Sequence, residues 1–162
     1  MKSKPFDAYI TGTHSVIIPE AHALPFYEAK EQRVVVTASY KDNQTQLHAA
    51  LKRDRSGTFW IMFSQQHQKT LNLPGGTNFT MQLSKDTSKY GVDMPEELQA
   101  VLDTDPIAFE IFESFTAGKK RGLIYGILRY KNSQTRIDKS LILTENLKRG
   151  VTDNQLLFKM PS

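Results

Sequence analysis

SKDTSKYGVDMPEELQAVLDTDPIAF, residues 84–109, is where the hydrophobic period of the chain changes. Before it, apolar residues alternate. After it, they recur every three or four positions. Alternation puts one face of a strand on a core, and a 3.6-residue period does the same for a helix. The polar, turn-rich run 84–93 lies at the change, so the spacing predicts an α+β chain with a boundary there: residues 1–90 as a β-domain and 91–162 as a helical module.

Working back from the boundary, Thr77–Leu83 places Phe79, Met81 and Leu83 on one strand face. TFWIMFS (58–64), Thr45–Lys52, VVVTASY (34–40), Val16–Ile18 and Phe6–Ile10 are further strand candidates, rich in β-branched and aromatic residues. Five or six short strands at this spacing predict a small barrel. Two segments interrupt them. A helical turn is expected after Pro25, and a short helix within 64–76, ended by Pro74 and the Gly75–Gly76 turn.

Working forward, Pro95 opens a helix with Glu96 and Glu97 in its first turn, where the helix dipole favours negative charge. Asp105–Pro106 is a cap followed by an N1 proline. Ile107, Ala108, Ile111, Phe112 and Phe115 then mark one face, and Gly118 is expected to end the helix. A third helix is expected over about 119–130. A fourth is capped by Asn132 or Ser133 and closed by Gly150 at C′. The expectation is a four-helix module.

Composition narrows the chemistry. The 162 residues are 39% hydrophobic and 23% charged, enough apolar material for a core, so disorder is not expected. With no cysteine, disulfides, thiolate nucleophiles, zinc fingers and iron–sulfur clusters are excluded. No run approaches the roughly 20 apolar residues of a membrane span. The N-terminus shows no apolar h-region, so a soluble cytoplasmic protein is expected. His14, His22, His48 and His67 fall into no ligand spacing, and no nucleophile elbow or phosphate loop is present. No cofactor, metal or catalytic residue is therefore expected.

The residues MPEELQAVLDTDPIAF, GKKRGLIYGI and K-x-x-QTRIDKSL resemble the YdeI/OmpD-associated family, whose name is linked to bacteriocin protection and to an outer-membrane porin. PFDAYITG, the Val16–Pro19 run, TFWIMFS and KTLNLPGGTNFTMQL resemble the small β-barrel domain of unknown function that often precedes that module. The resemblance implies a double-split barrel, related in shape to swapped-hairpin DNA-binding proteins. It implies no catalytic set. The family pattern often has glutamate before Thr135–Arg136, where this chain has Gln134.

Charge points to one candidate site. Residues 119–149 hold nine basic and two acidic residues, while residues 93–113 hold seven acidic and none basic. Helical geometry sets Arg129 opposite the apolar stripe and Lys131 on the stripe side at the helix end. Arg136 falls at the edge of the stripe formed by Ile137, Ser140, Leu143 and Leu147. Cations beside an apolar seam must be paired or hydrated. One reading pairs Lys131 and Arg136 with acids of the first two helices, or with the carbonyls ending the third. The other makes an anion site of Lys119, Lys120, Arg121, Arg129, Lys131, Arg136 and Lys139 with the hydroxyls of Ser133 and Thr135. The function expected is a non-enzymatic binding protein, a stress- or bacteriocin-protection factor that meets an anionic protein partner on this basic surface, with a nucleic-acid-binding protein as the alternative. A second alternative is an enzyme with a site in the barrel or interdomain cleft, lined by Trp60, Tyr9, Tyr40 and His48, which otherwise belong to the barrel core.

Overall fold

The computed structural model describes residues 1–161 and divides the chain into two compact units, Met1–Gly91 and a second from Val92 onward.

The first unit is built from strands β1 (Phe6–Ala8), β2 (Ile10–Thr11), β3 (Ser15–Ile18), β4 (Arg33–Tyr40), β5 (Asn43–Ala50), β6 (Lys52–Arg53), β7 (Phe59–Met62) and β8 (Phe79–Lys85). They form two antiparallel sheets, ordered β1-β8-β4-β5 and β2-β3-β7-β6. These are open sheets, not the closed barrel expected from strand number. The ladders end where the chain turns out of strand geometry at Tyr9 and at Leu51, between β1 and β2 and between β5 and β6. At each of these corners an edge strand of one sheet runs on into an edge strand of the other.

Alternation decides what is buried. Val34, Val36 and Ala38 of β4 and Phe79, Met81 and Leu83 of β8 face one core with Val16, Ile18, Phe59 and Ile61 of the second sheet. The residues between them, such as Ile17, Trp60 and Met62, lie on the opposite face. Trp60 and Tyr9 are therefore not core residues. Trp60 pairs with Ile17 across the ladder and carries the Lys52 ammonium 4.8 Å from its ring centre, while Tyr9 is exposed. His48 also lies outside the core, bonded at 2.9 Å to Asp86. Tyr40 is partly buried against the core.

Two short helices complete the unit. Helix α1 (Glu20–Glu28) runs through Pro25 instead of starting after it. The carbonyl of Ala21 loses its intrahelical donor to the proline, and Ala21 is exposed, so that carbonyl is open to solvent. Ala23 and Phe26 anchor the helix. Helix α2 (Gln65–Thr70) is capped by the Ser64 hydroxyl, which accepts from the His67 amide. It ends before Pro74, because Asn72 turns into the left-handed region at φ 53°.

His67 gives this unit a pH dependence. Its ring meets the Thr45 hydroxyl at 3.0 Å, and burial holds its pKa below the ordinary 6.5. The unfolded chain thus binds the proton more readily than the folded one. The stabilisation is complete above about pH 6.5 and is lost as pH falls through the folded value. We expect the denaturation midpoint followed by Trp60 fluorescence to fall between pH 7 and pH 5, and His67→Gln to flatten that slope. An unchanged slope in the variant would assign it to other groups.

The second unit holds α3 (Glu96–Asp103), α4 (Pro106–Ser114), α5 (Ala117–Leu128), α6 (Ser133–Lys148) and a 3-10 turn (Leu156–Phe158). Pro95 precedes α3, and Asp105 caps α4 by accepting from the Ala108 amide at 3.1 Å. Gly118 does not end α4. That helix stops at Ser114, and the Thr116 hydroxyl starts α5 by accepting from the Lys119 amide. A cap that supplies an acceptor outweighs the weak breaking tendency of a glycine, which costs little in a first turn. The buried residues include Leu98 and Leu102 of α3, Ala108 and Phe112 of α4, Leu123, Ile124 and Ile127 of α5, and Ser140, Leu143 and Leu147 of α6. Ile107, expected on the buried face, is 65% exposed.

Candidate anion-binding site

Helix α6 begins where Asn132 accepts from the Thr135 amide at 3.1 Å, and it ends at Gly150, whose φ of +82° makes the C′ turn. Between these ends it carries Arg136 and Lys139, while the other cations predicted to form a site lie on α5, at its end or in the linker. The structure gives them different fates.

Arg136 is spent on the fold. Its Nε donates to the Tyr130 carbonyl at 2.6 Å and its Nη2 to the Leu128 carbonyl at 3.2 Å, so it closes the end of α5 from the next helix. Its Nη1 lies 3.9 Å from Glu97 Oε1, and Glu97 is 8% exposed. The Glu97 carboxyl is held below its ordinary pKa, first by its own backbone N–H and then by the Ser133 hydroxyl and the Arg136 charge, with burial opposing. The Glu97 Oε2 is buried with no hydrogen-bond partner among the described residues. Glu97, Ser133 and Ile137 also line a cleft of about 480 Å³ floored by Ala100 and Val101.

Lys119 donates to the Thr152 carbonyl and lies over the Phe115 ring at 4.7 Å. Lys120 pairs with Glu113 at 3.5 Å. Outside the predicted set, Lys148 pairs with Asp105 at 2.9 Å, which depresses the carboxyl and raises the ammonium pKa. The Thr135 side chain forms no hydrogen bond among the described residues. Arg121 and Lys131 likewise have no hydrogen bond or ion pair there. Lys131 is exposed in the linker, not on the stripe: α5 ends at Leu128, so helical geometry does not extend to position 131.

Arg129 and Lys139 are brought together. Arg129 Nη2 donates to the Tyr130 hydroxyl at 2.8 Å, and its guanidinium carbon lies 4.9 Å from the ring centre. The Lys139 ammonium lies 5.6 Å from the same ring centre and donates to the Phe158 carbonyl at 3.2 Å. The Arg129 hydrogen bond holds the Tyr130 phenol below its ordinary pKa, with Lys139 contributing and burial opposing. These groups line a cleft of about 540 Å³ with Lys159, Asn154 and Phe158. No carboxylate is among its described lining residues.

The far wall comes from the C-terminal segment, which the charge pattern of 119–149 does not include. Asn146 of α6 holds it by donating to the carbonyls of Leu156, Leu157 and Lys159 at 2.8–3.3 Å. A sequence signal for this wall exists in Gly122 and Gly126, one turn apart on α5. A β-carbon at Gly126 would lie 2.5 Å from the Phe158 ring, and one at Gly122 would lie 3.2 Å from the Asn154 amide. The glycines let the segment lie against the helix. Gly126→Ala is therefore expected to cost about 1–3 kcal/mol through overpacking, or to expel Phe158 and reshape the cleft. Thermal unfolding read by far-UV circular dichroism checks this, and a variant as stable as wild type with unchanged ligand binding would contradict it.

Among the described residues there is no cluster of metal-ligating side chains, and no helix is long and apolar enough to cross a membrane. Residues 91–150 match the model of the family described as Bacteriocin-protection, YdeI or OmpD-Associated. No curated protein and no solved structure matches the chain.

Proposed function

We propose that this chain, whose residues 91–150 match the YdeI/OmpD-associated family, is a non-enzymatic binding protein that takes an anionic group of its partner in the basic cleft between α5, α6 and the C-terminal segment. The observation that carries this reading is the meeting of Arg129 and Lys139 at Tyr130, with Lys159 lining the same cleft and no carboxylate among its described lining residues. Cations left without a carboxylate are held at a cost in mutual repulsion, and an anion relieves it. The part-buried Arg121 and the exposed Lys131 add to the basic character of the same unit. We read the two compact units as domains, 1–90 and 91–162, and place the protein in the cytoplasm, a reading supported by its lack of cysteine. A protective role against bacteriocins rests on the family's name alone.

The test is fluorescence anisotropy with a fluorescein-labelled, 5′-phosphorylated oligonucleotide at low and physiological salt. We expect micromolar binding that weakens with salt and falls at least tenfold in Arg129→Glu/Lys139→Glu, with helicity retained. Equal binding of the unphosphorylated oligonucleotide would favour the second reading, a nucleic-acid-binding protein. Absence of binding even at low salt would overturn the anion site.

A further inference from the structure

The same cleft, on the reading that it holds an anion, is specific about which one. We infer that it is a small-molecule site for a phosphate monoester whose organic part lies against Phe158.

Charge is the first reason. Arg129, Lys139 and Lys159 bring three positive charges to one cleft, and no acid is among its described lining residues. A carboxylate or a phosphodiester supplies one negative charge. A phosphate monoester supplies between one and two near neutral pH, and its three terminal oxygens accept from several donors at once. The donors are of several kinds: the forked guanidinium of Arg129, two ammonium groups and the side-chain amides of Asn154 and Gln155. Arginine's planar fork suits phosphate. The Tyr130 hydroxyl already accepts from Arg129, which leaves its own proton available to a ligand oxygen.

Shape is the second reason. A cleft of about 540 Å³ lies in the range of small-ligand sites, roughly 300–1,000 Å³. Its walls are polar at Asn154 and Gln155 and aromatic at Phe158, whose ring abuts the bare backbone of Gly126. That ring is half-buried, so part of its surface faces outward. An apolar or planar organic part has a surface to lie on, next to the cations that hold its phosphate.

The third reason is rigidity. The wall does not depend on the ligand for its position. Three carbonyls of the segment are tied to the Asn146 amide, and a fourth, of Phe158, is tied to the Lys139 ammonium. A site formed before its ligand arrives loses little affinity to ordering.

Isothermal titration calorimetry of the full chain with inorganic phosphate, a nucleoside 5′-monophosphate and the matching free nucleoside tests this. We expect the monophosphate to bind at least tenfold more tightly than inorganic phosphate and than the nucleoside. Arg129→Ala and Lys139→Ala should each weaken it at least tenfold, while Lys131→Ala, on the exposed linker, should leave it unchanged. The inference is overturned if the nucleoside binds as well as its monophosphate, or if Lys131→Ala matters as much as the cleft variants. If the 5′-phosphorylated oligonucleotide binds through Arg129 and Lys139 but no small monoester does, the small-molecule site fails and the anion-binding reading stands. If neither binds, both fail.

Discussion

Replacing Phe63 by alanine should cost the first unit about 3–5 kcal/mol, the largest loss expected from a single side chain here. Phe63 is fully buried just beyond β7. Its ring centre lies 5.4 Å from that of Phe79 on β8 and 5.8 Å from that of His67 on α2. Its backbone N–H also donates to the His14 carbonyl at 2.6 Å. The side chain therefore joins the end of one sheet, the last strand of the other and a capped helix. Truncation removes apolar contact from all three, and a backbone held by ladders collapses little into the space. The protein has one tryptophan, Trp60, three residues away on β7. Chemical denaturation followed by its fluorescence therefore reports on this unit. A midpoint shift equivalent to less than about 1 kcal/mol would show that the cavity refills and that Phe63 is not the joint described.

Asn146→Ala should have the second-largest effect, and it should reach binding as well as stability. Asn146 is 3% exposed on α6, and its amide serves the carbonyls of Leu156, Leu157 and Lys159. Of the three bonds only the one to Leu157 is fully buried, and the Leu156 carbonyl keeps the Lys159 amide as a donor. A buried carbonyl left without a donor costs about 1–3 kcal/mol, so a loss of that order is expected if the segment stays in place. The cheaper response is for the segment to detach and hydrate its carbonyls. Detachment carries away Phe158 and Lys159, and the cleft with them. The variant should thus lose ligand binding although every cation of α5 and α6 remains. Far-UV circular dichroism gives the stability, and calorimetry with the monophosphate gives the binding. Full affinity in a destabilised Asn146→Ala would mean that the C-terminal wall takes no part in the site.

These two residues differ in how far local sequence announces them. Phe63 lies in TFWIMFS, whose composition marks a strand, and alternation alone puts Phe59, Ile61 and Phe63 on one side. Asn146 is a polar residue in a helix that otherwise reads as a solvated surface with an apolar stripe. Its partners lie 10 to 13 residues further on, in a segment with no periodic signal. Nothing within a helical turn of Asn146 shows that it is buried.

What the sequence determined by itself is the order and kind of elements, because each depends on groups within a few residues. Alternation set the faces of β4 and β8. Asp105–Pro106 set the start of α4, Gly150 the end of α6, and the start of α6 was narrowed to Asn132 or Ser133, of which Asn132 is the cap. The charge segregation that marked α5 and α6 as basic is equally local. Tertiary structure decided whether the sheets close, since that turns on two single-residue corners, Tyr9 and Leu51, which no period reveals. It also decided which cations are spent and which are gathered. Arg136 reaches carbonyls six and eight residues back and Glu97 on another helix, while Arg129 and Lys139 meet at one tyrosine ring and Lys159 lines the same cleft. A helical wheel gives the direction in which a side chain leaves its own helix. Whether a carboxylate, a carbonyl or open solvent waits there depends on how the chain packs beyond that helix, and this separates a structural arginine from a binding one.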